Sequence, residues 1–236
     1  MEQIYVLGTG NASAIRAFNT CFVLKDGEEM LLTDSGGGNG LLSRMEKETH
    51  TQPLYIYGHQ EVLDMLDSMC RMMLRPQFYR MIGKHIFFVP VQDGETRRIA
   101  GWEVTFFDIG SEKTRQYGYR LTLHNGRTIV FAGDEPLKEP AKTAAYGADW
   151  LLREVLCCYA DRERFQAYEK KHDTVREACE QAVELQVRHL MLWHVEDRTG
   201  RRERKAKYLA EGAAWLAGCT HPPELHVPVD GEIITL

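Results

Sequence analysis

The chain has 236 residues, 44% hydrophobic and 27% charged, which fits one large globular domain and excludes intrinsic disorder. Its 29 Lys and Arg against 34 Asp and Glu give a formal charge of −5, so there is no overall electrostatic drive toward DNA, RNA or anionic lipid. No apolar run reaches about 18 residues, and the start at Met1-Glu2-Gln3-Ile4 lacks a basic leader, so a cytoplasmic protein without a membrane partner is expected.

In chain order, Gln3 to Leu7, Cys21 to Leu24 and Met30 to Thr33 read as short strands, with a turn at Asp26-Gly27. The glycine-rich stretch 35–40 breaks the pattern, and Leu41 to Lys47 reads as one or two helical turns. Leu54 to Tyr57 is a strand, and Gln60 to Leu74 an amphipathic helix. Its Met65, Leu66, Met69, Met72, Met73 and Leu74 form an apolar stripe that suits a core face or a homodimer surface. Phe87 to Val91 and Glu103 to Phe107 follow as strands, and Tyr119 to Leu123 and Thr128 to Phe131 flank the hairpin turn at Asn125-Gly126. Beyond them the helical segments Pro140 to Tyr146, Thr174 to Leu185 and Arg202 to Ala217 alternate with the apolar runs Asp149 to Leu152 and His189 to Trp193. That order predicts a layered α/β (α+β) domain over 1–236, strands inside and helices outside. The six cysteines form no Cys-x-x-Cys pair and read as buried thiols.

Chemistry is expected where strands end, because α/β sheets present functional groups there. Asp34 precedes the glycine run, Asp134 follows the strand 129–131 within Gly133-Asp134-Glu135, and His194 closes the run Leu190 to Trp193. A strand-end carboxylate suits a divalent cation, and imidazole is the commonest zinc ligand. A turn-forming Asp and a satisfied core histidine account for the same residues equally well. His172, just before the cap candidates Asp173 and Thr174, stands where a helix opens. The basic run Arg198, Arg201, Arg202, Arg204, Lys205, Lys207 suits a solvated helix face or the attraction of phosphate.

Taken together, Leu7-Gly8-Thr9-Gly10-Asn11-Ala12, Asn19-Thr20-Cys21-Phe22, Leu32-Thr33-Asp34-Ser35-Gly36-Gly37-Gly38, Gly118-Tyr119-Arg120-Leu121, Phe131-Ala132-Gly133-Asp134, Gly147 to Glu154, His172-Asp173-Thr174 and Leu192-Trp193-His194 resemble the metallo-β-lactamase superfamily, in its ribonuclease Z-like branch. The resemblance implies a four-layer αββα sandwich with a metal cleft at one edge of the sheets. It implies that Asp134 bridges two divalent ions, zinc or else manganese or iron, and that His194 is a terminal ligand. His172 would approach the phosphate or leaving group, and Asp34 and Glu154 would orient these residues from behind. The implied activity is hydrolysis of a small-molecule or nucleotide phosphodiester by a metal-bound hydroxide. RNA is a less favoured substrate, because no Gly/Pro-rich arm for holding tRNA is present.

The chain departs from the family in two places. The family's His-x-His-x-Asp-His motif is absent, since no two of the nine histidines are separated by a single residue. Gly110 stands where a further ligand histidine is expected. Only Glu46 to Pro53 joins the helix at Leu41 to the next strand, so a ligand-bearing segment missing or deleted near 46–53 is one explanation. A catalytically degenerate binding or scaffold protein of the same fold is the alternative.

Overall fold

Alternating buried and open positions along β1 (Gln3–Gly8) turn Ile4 and Val6 inward, and the same period of two recurs in the strands beside it. The computed structural model describes residues 1–34, 41, 42, 45 and 52–236. β1 pairs antiparallel with β2 (Cys21–Asp26), which pairs with β3 (Glu29–Thr33); on its other side β1 receives the C-terminal strand β13 (Ile233–Thr235). A larger sheet has the order β12-β11-β10-β9-β8-β7-β6, built from β6 (Thr96–Ile99), β7 (Trp102–Asp108), β8 (Tyr117–Thr122), β9 (Thr128–Phe131), β10 (Trp150–Glu154), β11 (His189–Trp193) and β12 (Glu224–His226). β6 to β9 run antiparallel, and β9 to β12 run parallel. The Asn-Gly turn joins β8 and β9 as expected, with Gly126 at φ 84°.

The two sheets face each other across Ile4, Val6, Phe22, Leu24, Trp102, Leu121, Met191 and Trp193. Beside them β4 (Leu54–Gly58) and β5 (Ile86–Pro90) pair in parallel under α1 (Gln60–Met73) and α2 (Pro76–Tyr79), around Cys70, Leu74, Phe78 and Ile86. The outer face of the large sheet, with Val130, Leu151, Leu190 and Leu192, is covered by α3 (Glu139–Ala145), α5 (Val175–Glu184) and α6 (Arg201–Leu216). The short α4 (Arg162–Phe165) lies between β10 and α5 in the chain. The layers are those of the expected αββα sandwich.

Strands β6, β12 and β13 were not expected, because three or four residues carry no readable period and these strands exist by pairing with a neighbour already in place. The Met-rich stripe is corrected. The buried side of α1 is Leu63 and Cys70, continued by Leu74, while Met65, Met72 and Met73 are exposed. Leu63, Cys70 and Leu74 share one helical face, and the methionines fall beside it. Five cysteines are buried and none of the six is in a disulfide, Cys219 being half-exposed. Leu41, Leu42 and Met45 are helical, whereas the glycine stretch 35–40 and the joint 46–51 lie outside the described residues. No helix among the described residues is long and apolar enough to cross a membrane.

Candidate metal centre

Three parallel strands end at one edge of the large sheet, and each delivers a polar side chain there. Asp134 follows β9 after Gly133, whose φ of 78° turns the chain sharply off the strand. Glu154 is the last residue of β10, paired in register with Trp193. His194 follows β11 directly, itself left-handed at φ 60°. A fourth group comes from a helix start: Thr174 caps α5 through a capping box with Glu177, and this places His172 and Asp173 just before the helix, against β10.

His194 Nε2 and Asp134 Oδ2 are 3.9 Å apart, and the His172 and His194 rings lie 5.1 Å apart. His172 Nδ1 donates to Glu154 Oε2 at 3.1 Å, and Glu154 Oε1 accepts the Asp173 backbone N–H at 2.8 Å. Burial raises the Glu154 pKa, against the hydrogen bond and charge of His172. Beneath these lies Arg153, fully buried and ion-paired to Asp173.

Thr20 Oγ1 lies 3.0 Å from Gly10 O, to which it can only donate, and 3.4 Å from His194 Nδ1. With its hydrogen on Gly10 O, the hydroxyl favours a proton on Nδ1 and leaves Nε2, on the Asp134 side, available to ligate a cation. Burial pushes the His194 pKa well below its usual value; the Asp134 charge opposes this, and His172 and Lys113 add to it. Asp134 Oδ1 is buried and has no hydrogen-bond partner, although the side chain as a whole is 38% exposed. A largely neutral imidazole nitrogen beside an orphaned carboxylate oxygen fits a cation held by the two side chains. Among the described residues, no third His, Cys, Asp or Glu brings a donor atom within 4.8 Å of both.

Of the residues singled out in the sequence, Asp134, Glu154, His172 and His194 converge. Asp34 directly follows β3, exposed and left-handed at φ 55°, and the glycine run after it lies outside the described residues. At Gly110, φ is 69° and the carbonyl accepts Lys138 Nζ at 2.6 Å. The basic run is largely consumed in structure: Arg204 is buried and donates to Glu196 O, Arg201 pairs with Asp230, Lys205 with Glu232 and Lys207 with Glu203. Sequence reasoning missed Thr20, Lys113 and the buried Glu135, which accepts from Ser111 Oγ at 2.6 Å. The position of Glu135 directly after Asp134 was the one available signal.

The family profile described as "Beta-lactamase superfamily domain" matches residues 39–195, a stretch that contains all four converging residues. This chain belongs to the beta-lactamase superfamily. Ribonuclease Z from Shouchella clausii is 34% identical over 102 residues, which is 43% of this chain and 31% of that relative, so the likeness spans about a third of the relative's length. The solved metallo-beta-lactamase fold protein YhfI from Bacillus subtilis superposes with a TM-score of 0.74 at 15% identity, covering 100% of both chains. Zn(2+)-bound PqqB from Methylobacterium extorquens does so with a TM-score of 0.73 at 14% identity, covering 99% of this chain and 100% of its own. Both share the fold.

Proposed function

We propose that this superfamily member is a metal-dependent hydrolase that cleaves a phosphodiester, of a small molecule or a nucleotide, at the edge where β9, β10 and β11 end. The observation that carries the reading is His194 Nε2 standing 3.9 Å from Asp134 Oδ2 beside the orphaned Asp134 Oδ1. Asp134 and His194 would hold a divalent ion, zinc foremost given the imidazole and carboxylate donors, with manganese or iron as alternatives. Such an ion supplies Lewis acidity toward a phosphoryl oxygen.

The chain's own residues do the rest. Thr20, 3.4 Å from His194 Nδ1, would hold a proton there and leave Nε2 to the metal. Glu154 holds His172 by Nδ1, which leaves His172 Nε2 as the ring nitrogen that can hold a proton for the departing oxygen. Arg153 and Asp173 fix the segment that carries His172. The pair of ions implied by the resemblance finds donors for one among the described residues, and Asp34 stands as an orienter by resemblance alone. RNA is a second substrate of the same bond type, as the name of the ribonuclease Z relative suggests.

The lack of a third donor among the described residues favours a second reading, a binding protein of the same fold without catalysis. Hydrolysis of bis(p-nitrophenyl) phosphate with added zinc or manganese, together with metal content and intact mass, separates the two. Asp134→Ala and His194→Ala are expected to lower kcat/KM by at least about a hundredfold, beyond what loss of an outer partner does, and His172→Ala by about 10²–10⁴-fold as for a lost general acid. Turnover unchanged in these variants sinks the hydrolase reading, and a 27.1 kDa chain free of metal and activity establishes the binding protein.

A further inference from the structure

At the opposite end of β11, about 16 Å from His194 at roughly 3.3 Å per strand residue, lies a second cluster that the proposed reaction does not use. Parallel pairing sets His189 beside Trp150 on β10 and beside Glu224 on β12, with Met191 beside His226. Residues two apart on a strand share a face, so His189, Glu224 and His226 project to the same side as Trp150 and Met191, at the open rim of the space between the sheets. His189 Nδ1 is 3.3 Å from His226 Nε2 and 3.3 Å from Glu224 Oε2, and His226 Nε2 is 3.7 Å from Glu224 Oε1. Donors at about 2.0–2.1 Å from a tetrahedral zinc stand about 3.3 Å from one another, so two of these separations match a ligand edge and the third exceeds it slightly.

We propose that His189, Glu224 and His226 form a second, structural site for a divalent cation of the zinc class. The site is preorganised. The indole of Trp150 stacks on the His189 ring at 4.2 Å and 10°, which fixes the direction of Nδ1. Nearby cations are already engaged, Arg188 with Asp149 and Lys205 with Glu232, so the carboxylate of Glu224 is left to the two imidazoles. Two neutral imidazoles, one carboxylate and an open fourth position complete a tetrahedral set with water. The cluster Glu2, Asp26 and His124 offers a contrast. There Glu2 Oε1 accepts from Trp102 Nε1 and from the His124 backbone N–H, and Asp26 accepts from the N-terminal ammonium, so the donors are taken.

A cation in the second site would pin the edge strand β12 to β11. From β12 the chain runs on to β13 in the other sheet through Asp230, whose carboxylate accepts from Thr9 N, Thr9 Oγ1 and Phe18 N in the loop that carries Gly10 and Thr20 to His194. The site would therefore brace the wall of the candidate centre without contacting substrate.

The test uses the full chain with Asp134→Ala and His194→Ala, so that the candidate centre contributes no metal. Equilibrium dialysis against zinc, with metal counted by elemental analysis, is expected to give about one zinc per chain, as three protein ligands with a water in the fourth position predict. His226→Gln should abolish that zinc. Glu224→Gln, at a side chain 66% exposed and safe for folding, should weaken it about tenfold. Copper(II) should quench indole emission in the same background, through Trp150, and not after His226→Gln. A background variant that binds no zinc, or zinc and quenching that survive both substitutions, overturns the site.

Discussion

His194 is a non-glycine residue in the left-handed region, a conformation that costs on the order of 1–3 kcal/mol and persists only where the surroundings over-determine it. Those surroundings are named: Val195 N donates to Thr9 O and Asn11 N to Val195 O, so the chain after β11 is bridged onto the loop after β1. One layer below, Arg153 is fully buried, its pKa pushed down to about 10 by burial, with Nε and Nη1 lacking partners and Nη2 on Asp173. Removing one member of such a pair strands a buried charge. Asp173→Ala is expected to lower the unfolding free energy by about 3–5 kcal/mol, whereas the paired replacement Arg153→Met with Asp173→Leu should recover most of it. Urea denaturation of the native chain and the two variants checks this, and a double variant as unstable as Asp173→Ala would show that Arg153 acts by packing instead of charge.

At the scale of elements, the candidate centre is made by strand ends held in register, and small residues let the loops close around it. Gly8 at the end of β1 has Asn19 O only 2.1 Å from where a Cβ would stand, with Phe18 O at 2.7 Å. Backbone oxygens cannot step aside as a long side chain does. Gly8→Ala is expected to cost about 1–3 kcal/mol as an overpacked site and to shift the loop 10–20 that carries Thr20. Thermal unfolding and the His194 imidazole NMR shifts report the two effects. A stable variant with unmoved shifts would show that the loop is not held by this contact. The strands of this region were legible in the sequence because β9, β10 and β11 are short apolar runs, buried on both faces between the sheet core and the helices. β6, β12 and β13 were not, since an edge strand of three or four residues has no period of its own.

Across the whole molecule, the two sheets are tied at their far rim by His124, in the β8–β9 turn, and Asp26, at the end of β2, 3.0 Å apart. The Asp26 hydrogen bond raises the His124 pKa. The N-terminal ammonium first, and then His124, lower that of Asp26. A raised histidine contributes fully below its unfolded value of about 6.5 and loses its contribution as pH rises through the folded value, while a lowered carboxylate contributes above about 3.9 and fails as pH falls through its folded value. The stability gap between the native chain and His124→Ala is therefore expected to be largest between about pH 4 and 6.5. Above that range it should shrink to the loss of the stacking of the His124 ring on Trp102, whose centroids lie 5.7 Å apart. Melting curves across pH measure it, and a gap that does not change with pH would remove the ion pair from the account.

The sequence by itself determined the layered α/β class, the strands that end in Asp134, Glu154 and His194, the helix start beside His172 and the family these residues resemble. Those features are local: an apolar run, a turn signal and a cap are each written within a few neighbouring residues. Only the tertiary structure decided that Thr20 stands beside His194 Nδ1, that Asp134 Oδ1 is left without a partner, that most of the basic run is spent on ion pairs, and that His189, Glu224 and His226 meet at the other end of β11. Each of these depends on register between strands far apart in the chain, and a hydrogen bond or a ligand set forms between atoms within about 3–4 Å of each other, a condition that spacing along the sequence does not encode.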